Sequence, residues 1–133
     1  GWALGWALGC AIGVKLAWPE RPVLGLLGDG SSLYGIQGLW TAAHHHIPVT
    51  FVIANNAQYK ILKVSGEVMG LPQMARQKFL GTDLVEPEVD FVGLARSLGV
   101  EAYRVTEPVE LSELVATALD RTEPLLLDVP LQR

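Results

Sequence analysis

Hydrophobic positions along the chain fall into short dense runs, set apart by breaks rich in glycine, proline and polar residues. Val23 to Leu27 is a continuous apolar run, and Val49 to Ala54 (Val-Thr-Phe-Val-Ile-Ala) is a second, rich in β-branched residues. Runs of this length without alternation suit strands buried on both faces. Glu101 to Val105 and Leu125 to Val129, the latter after Pro124, complete a predicted set of four strands. Between them the apolar spacing changes to that of helices. Leu33 to His45 reads as a helix ended by Ile47-Pro48, and Tyr59 to Val64 as the start of another. Asp90 caps a helix running through Leu98, with Phe91, Leu94, Ala95 and Leu98 on one face and Gly99 as its stop. Pro108 to Leu119 is a helix with an acidic first turn.

At the beginning, Gly1, Gly5, Gly9 and Gly13 recur every fourth residue. On a helix they form a groove without side chains, which a sheet or a second subunit can approach closely. Trp18 to Pro22 is a turn. Residues 65–87, with Gly66, Gly70, Pro72, Gly81 and Pro87, form the least regular stretch and are expected to cover a site. Strands alternating with helices predict an α/β fold, a three-layer doubly wound parallel sheet with helices on both faces. Residues 1–133 read as one domain, and the abrupt opening on a structured element, without Met, suggests the carboxyl-terminal part of a longer chain.

Composition narrows the function classes. Half of the 133 residues are hydrophobic and fourteen are glycine, as in a tightly packed domain rather than a disordered one. The net charge of −4, with no block of Lys or Arg, argues against nucleic acid as a partner. Lys15 cuts the first apolar run short of a membrane span, and no basic segment precedes it as in a signal peptide. Cys10 is the single cysteine, which excludes an intrachain disulfide and fits a reducing, cytoplasmic setting. Its apolar neighbours favour a buried thiol over a nucleophile.

The chemistry-bearing residues stand at strand ends. Gly28-Asp29-Gly30 closes the first strand and Asn55-Asn56 the second, with 24 residues, 31 to 54, between them. That spacing fits one strand-helix-strand unit, whose right-handed crossover returns both ends to the same edge of the sheet. Asp29 and Asn56 offer two hard oxygens, suited to Mg²⁺ or Ca²⁺ rather than a soft metal. Gly28 and Gly30 allow a sharp turn and a close ligand, and Ser31 and Ser32 lie where free N–H groups attract an anion. Taken alone, Gly-Asp-Gly equally fits a plain strand-to-helix turn with an N-cap. The asparagine pair at the matching distance favours a site for a metal-bound diphosphate. His44-His45-His46 lacks the i,i+4 spacing of a helical metal motif and reads as a cluster at a helix C-terminus.

Gly-Asp-Gly, some two dozen residues and Asn-Asn together resemble the motif of the thiamine-diphosphate-dependent enzymes. Gly5-Trp6-Ala7-Leu8-Gly9, Ala11-Ile12-Gly13-Val14, Pro19-Glu20-Arg21, Leu39-Trp40-Thr41-Ala42-Ala43, Ile47-Pro48 and Asp90-Phe91 extend the likeness over nearly the whole chain. They resemble the carboxyl-terminal, diphosphate-binding domain of benzoylformate decarboxylase and its relatives. The resemblance implies thiamine diphosphate and Mg²⁺ as cofactors, with Ca²⁺ as a substitute. It implies that Asp29 and Asn56 ligate the metal by side chain and Gln58 by its backbone carbonyl. Gly28, Gly30 and Ser31 would hold the diphosphate, with Tyr59 and Lys60 close by.

Leu4 matches the bulky residue that keeps the cofactor bent, and the Trp2 carbonyl the acceptor for its amino group. Ile61, Leu62 and Ser65 match positions lining the substrate pocket. The implied activity is non-oxidative decarboxylation of a 2-oxo acid to an aldehyde. In the family an amino-terminal pyrimidine-binding domain, from the same or a neighbouring subunit, supplies an activating glutamate. A homodimer or homotetramer is therefore implied. The segment Ala57 to Lys63 differs from the glycine-rich version of acetolactate synthases, but a carboligase of that kind stays open. So does a non-catalytic domain for cofactor binding or assembly.

Overall fold

The computed structural model describes residues 4–72 and 81–133. Four strands, β1 (Val23–Gly28), β2 (Val49–Asn55), β3 (Glu101–Arg104) and β4 (Leu125–Pro130), form one parallel sheet in the order β1-β2-β4-β3. The helices are α1 (Trp6–Ala17), α2 (Asp29–Ser32), α3 (Gly38–His44), α4 (Lys60–Val68), α5 (Phe91–Ser97) and α6 (Pro108–Ala118). Leu8 and Ile12 of α1, Leu39 and Ala42 of α3, and Phe91 and Ala95 of α5 share one core with Phe51, Ile53 and Leu126 of the sheet. Val52, Leu125 and Leu127 turn the other way and meet Leu111, Leu114, Val115 and Ala118 of α6.

This two-sided arrangement follows from handedness. The chain moves in one direction across the sheet from β1 to β2 and on to β3, then steps back to β4. Right-handed crossovers in opposite directions must lie on opposite faces. The β3–β4 connection, α6, is accordingly the one that packs on the second core.

Helix α1 meets the sheet through Leu8, Ala11 and Ile12, not through its glycines. Gly9 and Gly13 are exposed, with open space where a side chain would point, so the expected groove does not face this sheet. The reason is the i,i+4 pair Leu8 and Ile12, which offers more apolar area than a glycine stripe. Gly25 on β1 provides the close approach instead, since a Cβ there would lie 3.2 Å from that of Ala11. Cys10 is half-buried.

The helix expected over Leu33 to His45 is split. Bonds of i→i+3 type, from the N–H of Gly35 to Ser32, of Gly38 to Gly35 and of Leu39 to Ile36, run through the break and into the first turn of α3. A Cβ on Gly38 would stand 2.5 Å from the Leu8 side chain, and one on Gly35 3.0 Å from the Gly5 carbonyl oxygen. The start of α1 presses on this segment and needs both glycines. Helix α4 also runs further than expected, to Val68. Asp90 does cap α5, its Oδ1 accepting from the Gly93 N–H at 2.8 Å. Among the described residues, no helix is long and apolar enough to cross a membrane.

Candidate functional site

The register sets Gly28 beside Ala54 and Asn55 beside Pro130, so β1, β2 and β4 end together. Asp29 follows Gly28 directly and Asn56 follows Asn55. Asp29 is 4% exposed, and its Oδ2 accepts from the Gln58 N–H at 3.2 Å. Asn56 Oδ1 accepts from the same N–H, also at 3.2 Å. Two side-chain oxygens from separate strand ends thus meet at a single backbone donor. The remaining lone pairs of both oxygens are of the hard type that Mg²⁺ and Ca²⁺ select. Among the described residues no three His, Cys, Asp or Glu side chains cluster as a metal site. A cation here would therefore draw on the amide, on backbone carbonyls and on its ligand's own oxygens, as Mg²⁺ does in phosphate sites. The residues fit a metal-bound diphosphate on that ground.

Several groups fix the loop after β2. Asn55 Oδ1 accepts from the Ala57 N–H at 3.1 Å, and its backbone carbonyl accepts from the Leu131 N–H at 2.7 Å. Ala57 adopts φ 52°, a left-handed conformation. An antiparallel bridge then runs between Gln58 and Asp83. Its bonds pass from Tyr59 N–H to the Thr82 carbonyl (2.7 Å) and from Leu84 N–H to the Ala57 carbonyl (2.9 Å). Lys63 Nζ joins Gln58 Oε1 and Asp83 Oδ1, each at 2.7 Å. Part of the expected covering segment, residues 73–80, lies outside the described residues. Thr82 to Leu84 are bound to the loop as described.

The first strand end is built as tightly. Gly5 N–H donates to the Ser31 carbonyl at 2.9 Å, and Ser31 Oγ stands 3.4 Å from the same nitrogen. Ser32 Oγ donates to the Asp29 carbonyl at 2.7 Å. These bonds dock the start of α1 on the Asp29–Ser32 turn. Leu4, one residue before Gly5, is therefore carried to this edge and is half exposed. Gly28 has open space where a side chain would lie, leaving room for a ligand. Gly30 is covered: its missing Cβ would stand 2.3 Å from the Tyr59 ring, whose hydroxyl donates to the Gly30 carbonyl at 3.3 Å. Burial and the neighbouring Tyr34 push the Tyr59 hydroxyl above its usual pKa.

A cavity of about 120 Å³ opens beside the two oxygens, lined among others by Asp29, Asn56, Leu84, Phe91, Arg104 and Arg133. Ile61, Leu62 and Ser65 do not line it. They lie exposed on α4, where Lys60 is exposed as well. Trp2 lies outside the described residues. The histidines are engaged elsewhere: His44 stacks on Trp40 at 4.6 Å, and His46 Nδ1 meets Glu123 Oε1 at 2.8 Å.

Sequence reading passed over Asp128. This residue is 1% exposed within β4, and its Oδ1 accepts from Asn55 Nδ2 at 2.9 Å. Its Oδ2 lies 3.5 Å from Arg104 Nη1. Burial pushes its carboxyl above the usual range, against the Asn55 amide and the Arg104 guanidinium, which pull it down. A lone acid in Leu125-Leu126-Leu127-Asp128-Val129 is the signal that could have found it.

Residues 2–129 match the model of the C-terminal TPP binding domain of thiamine pyrophosphate enzymes. Benzoylformate decarboxylase of Pseudomonas aeruginosa is 39% identical over 129 residues, 97% of this chain and 23% of that protein. A Mycobacterium tuberculosis protein assigned provisionally as an acetolactate synthase large subunit is 39% identical over 130 residues, 97% of this chain and 25% of its own length. Among solved structures, the thiamine diphosphate-dependent 4-hydroxybenzoylformate decarboxylase of Rhodococcus jostii superposes with a TM-score of 0.87 at 36% identity. That match covers 97% of this chain and 23% of the other. The chain thus spans about a quarter of the length of these relatives.

Proposed function

Since the chain belongs to the thiamine pyrophosphate enzymes, as their C-terminal TPP-binding domain, we propose that it holds Mg²⁺–thiamine diphosphate in a 2-oxo acid decarboxylase of the benzoylformate decarboxylase kind. The convergence of Asp29 Oδ2 and Asn56 Oδ1 on the Gln58 N–H carries this reading. Asp29 and Asn56 would hold the cation by side chain and Gln58 by its backbone carbonyl. Ca²⁺ has the same preference for oxygen and would substitute. Gly28 and Ser31 would receive the diphosphate at the strand-to-helix turn, with Gly30, Tyr59 and Lys60 beside it.

Bound there, the cofactor supplies the carbon nucleophile and electron sink that a 2-oxo acid needs in order to lose carbon dioxide. The chain's own part is to bind, orient and desolvate. Leu4 would support the bent cofactor from the docked start of α1, and the Trp2 carbonyl would accept from its amino group. Ile61, Leu62 and Ser65 would face the substrate from α4. Their exposure suits residues completed by another part of the protein. We assign that part to an amino-terminal pyrimidine-binding domain of the same or a neighbouring subunit, in a homodimer or homotetramer.

The acetolactate synthase relative, as similar as the decarboxylase, supports a carboligase as second reading. The experiment is to incubate the full-length protein with thiamine diphosphate, Mg²⁺ and a panel of 2-oxo acids and to identify the products. Benzaldehyde and carbon dioxide from benzoylformate support the first reading. Acetolactate from pyruvate supports the second. Cofactor binding without either product, across the panel, points to a non-catalytic role.

A further inference from the structure

Asp128 is an expensive residue where it stands. Its neighbours in β4 are apolar, and it faces the core side in the same row as Leu27 and Ile53. A leucine there would extend the run and avoid the desolvation of a carboxylate. Its guanidinium partner is 3.5 Å away and half exposed, which offsets only part of that cost.

The bonds show what it holds. Asp128 Oδ1 accepts from Asn55 Nδ2, which fixes which end of the amide points back to Ala57. Asn55 Oδ1 is thereby aimed at the Ala57 N–H. That bond stabilises Ala57 at φ 52°, a left-handed conformation that a non-glycine residue disfavours. The left-handed step at Ala57 sits between Asn56 and Gln58. It turns the Gln58 N–H back toward Asn56 Oδ1 and Asp29 Oδ2. Flipping the Asn55 amide would set two N–H donors against each other at Ala57 and leave two oxygens facing at Asp128.

We propose that Asp128 is a positioning residue for the cation site, acting through the Asn55 side chain to hold the Ala57 turn that aims Asn56 and Gln58. This rests on the assignment of Asp29, Asn56 and Gln58 as the cation's ligands. Its consequence is geometric. Mg²⁺ demands near-ideal octahedral placement, whereas Ca²⁺ accepts varied geometry and coordination number. Loss of Asp128 therefore weakens Mg²⁺ more than Ca²⁺, an outcome that general destabilisation does not produce.

The test titrates Mg²⁺ and, separately, Ca²⁺ into the full-length protein with thiamine diphosphate present, following heat or tryptophan fluorescence. Asp128→Leu and Asn55→Ala each lower Mg²⁺ affinity by roughly 10–100-fold, the range for outer partners of metal ligands, and Ca²⁺ affinity much less. Asp128→Asn, which keeps an oxygen acceptor for Asn55, retains a Mg²⁺/Ca²⁺ affinity ratio near that of the unchanged protein. The double variant is no worse than either single one, because both break one chain of contacts. Should Asp128→Leu fail to fold, Asn55→Ala and Asp128→Asn carry the test. An unchanged ratio in Asn55→Ala, with the wild-type protein binding Mg²⁺ normally, overturns this inference alone. Failure of the wild-type protein to bind either cation overturns it together with the functional reading.

Discussion

Asp29 and Asn56, from the ends of neighbouring strands, direct their side-chain oxygens at one backbone N–H, that of Gln58, each at 3.2 Å. A carboxylate and an amide that share a donor this way stand close enough to share an ion. The parallel register of β1 and β2 puts them there, with the loop after Asn55 bending the chain back over Asp29. Four predictions follow from the contacts around this pair and from the sheet that carries it.

Asp29→Ala removes the one charged oxygen of the pair. Mg²⁺-dependent binding of thiamine diphosphate to the full-length protein should fall by more than the roughly 10–100-fold typical of an outer partner. Calorimetry checks this, and unchanged affinity would refute the role of Asp29.

Leu4→Ala should leave cofactor affinity nearly intact and lower kcat. Leu4 sits on the segment that Gly5 docks to Ser31, where it would press on the cofactor rather than grip its phosphates. Cofactor titration and steady-state kinetics separate the two effects. A parallel loss of both, in a folded protein, speaks against this role.

Gly30→Ala places a methyl group into the Tyr59 ring. Overpacking of this kind costs about 1–3 kcal/mol. Thermal unfolding should show the loss, and Tyr59→Ala in the same chain should restore part of it. A Gly30→Ala protein as stable as the unchanged one would mean that the ring is not held there.

Glu101 gives a pH-dependent contribution away from the site. The Tyr103 hydroxyl and the Arg121 guanidinium hold its carboxyl below the ordinary range. The folded state therefore favours the ionised form. The stabilisation is complete above the ordinary carboxylate pKa and is lost as pH falls through the lowered folded value. Both groups are partly exposed, so Glu101→Gln should cost under about 1 kcal/mol at neutral pH. Denaturant melts of the two proteins should differ at neutral pH and converge in acid; a gap that widens in acid contradicts the assignment.

The strands were legible because their residues are locally distinctive: Val49 to Ala54 is β-branched and apolar, and β2 occupies that stretch with Asn55 added. The pairing of Asp29 with Asn56 was legible too, since a crossover of that length and hand brings two strand ends together. The break within residues 33–45 was not, because Gly35 and Gly38 answer to the start of α1, some thirty residues earlier. That the glycine stripe of α1 does not meet this sheet has a similar cause. Glycine spacing reports where a backbone could approach, whereas Leu8 and Ile12 decide where it does. Asp128 was visible only as an oddity in an apolar strand, for its partner Asn55 lies 73 residues away and meets it only across the β2–β4 register.

The most direct measurement is a crystal structure of the full-length protein with thiamine diphosphate and Mn²⁺, the metal located by its anomalous signal. A single peak in contact with a side-chain oxygen of Asp29, the side-chain oxygen of Asn56 and the cofactor's phosphates is the predicted result. A bound cofactor whose metal lies away from either residue would contradict it.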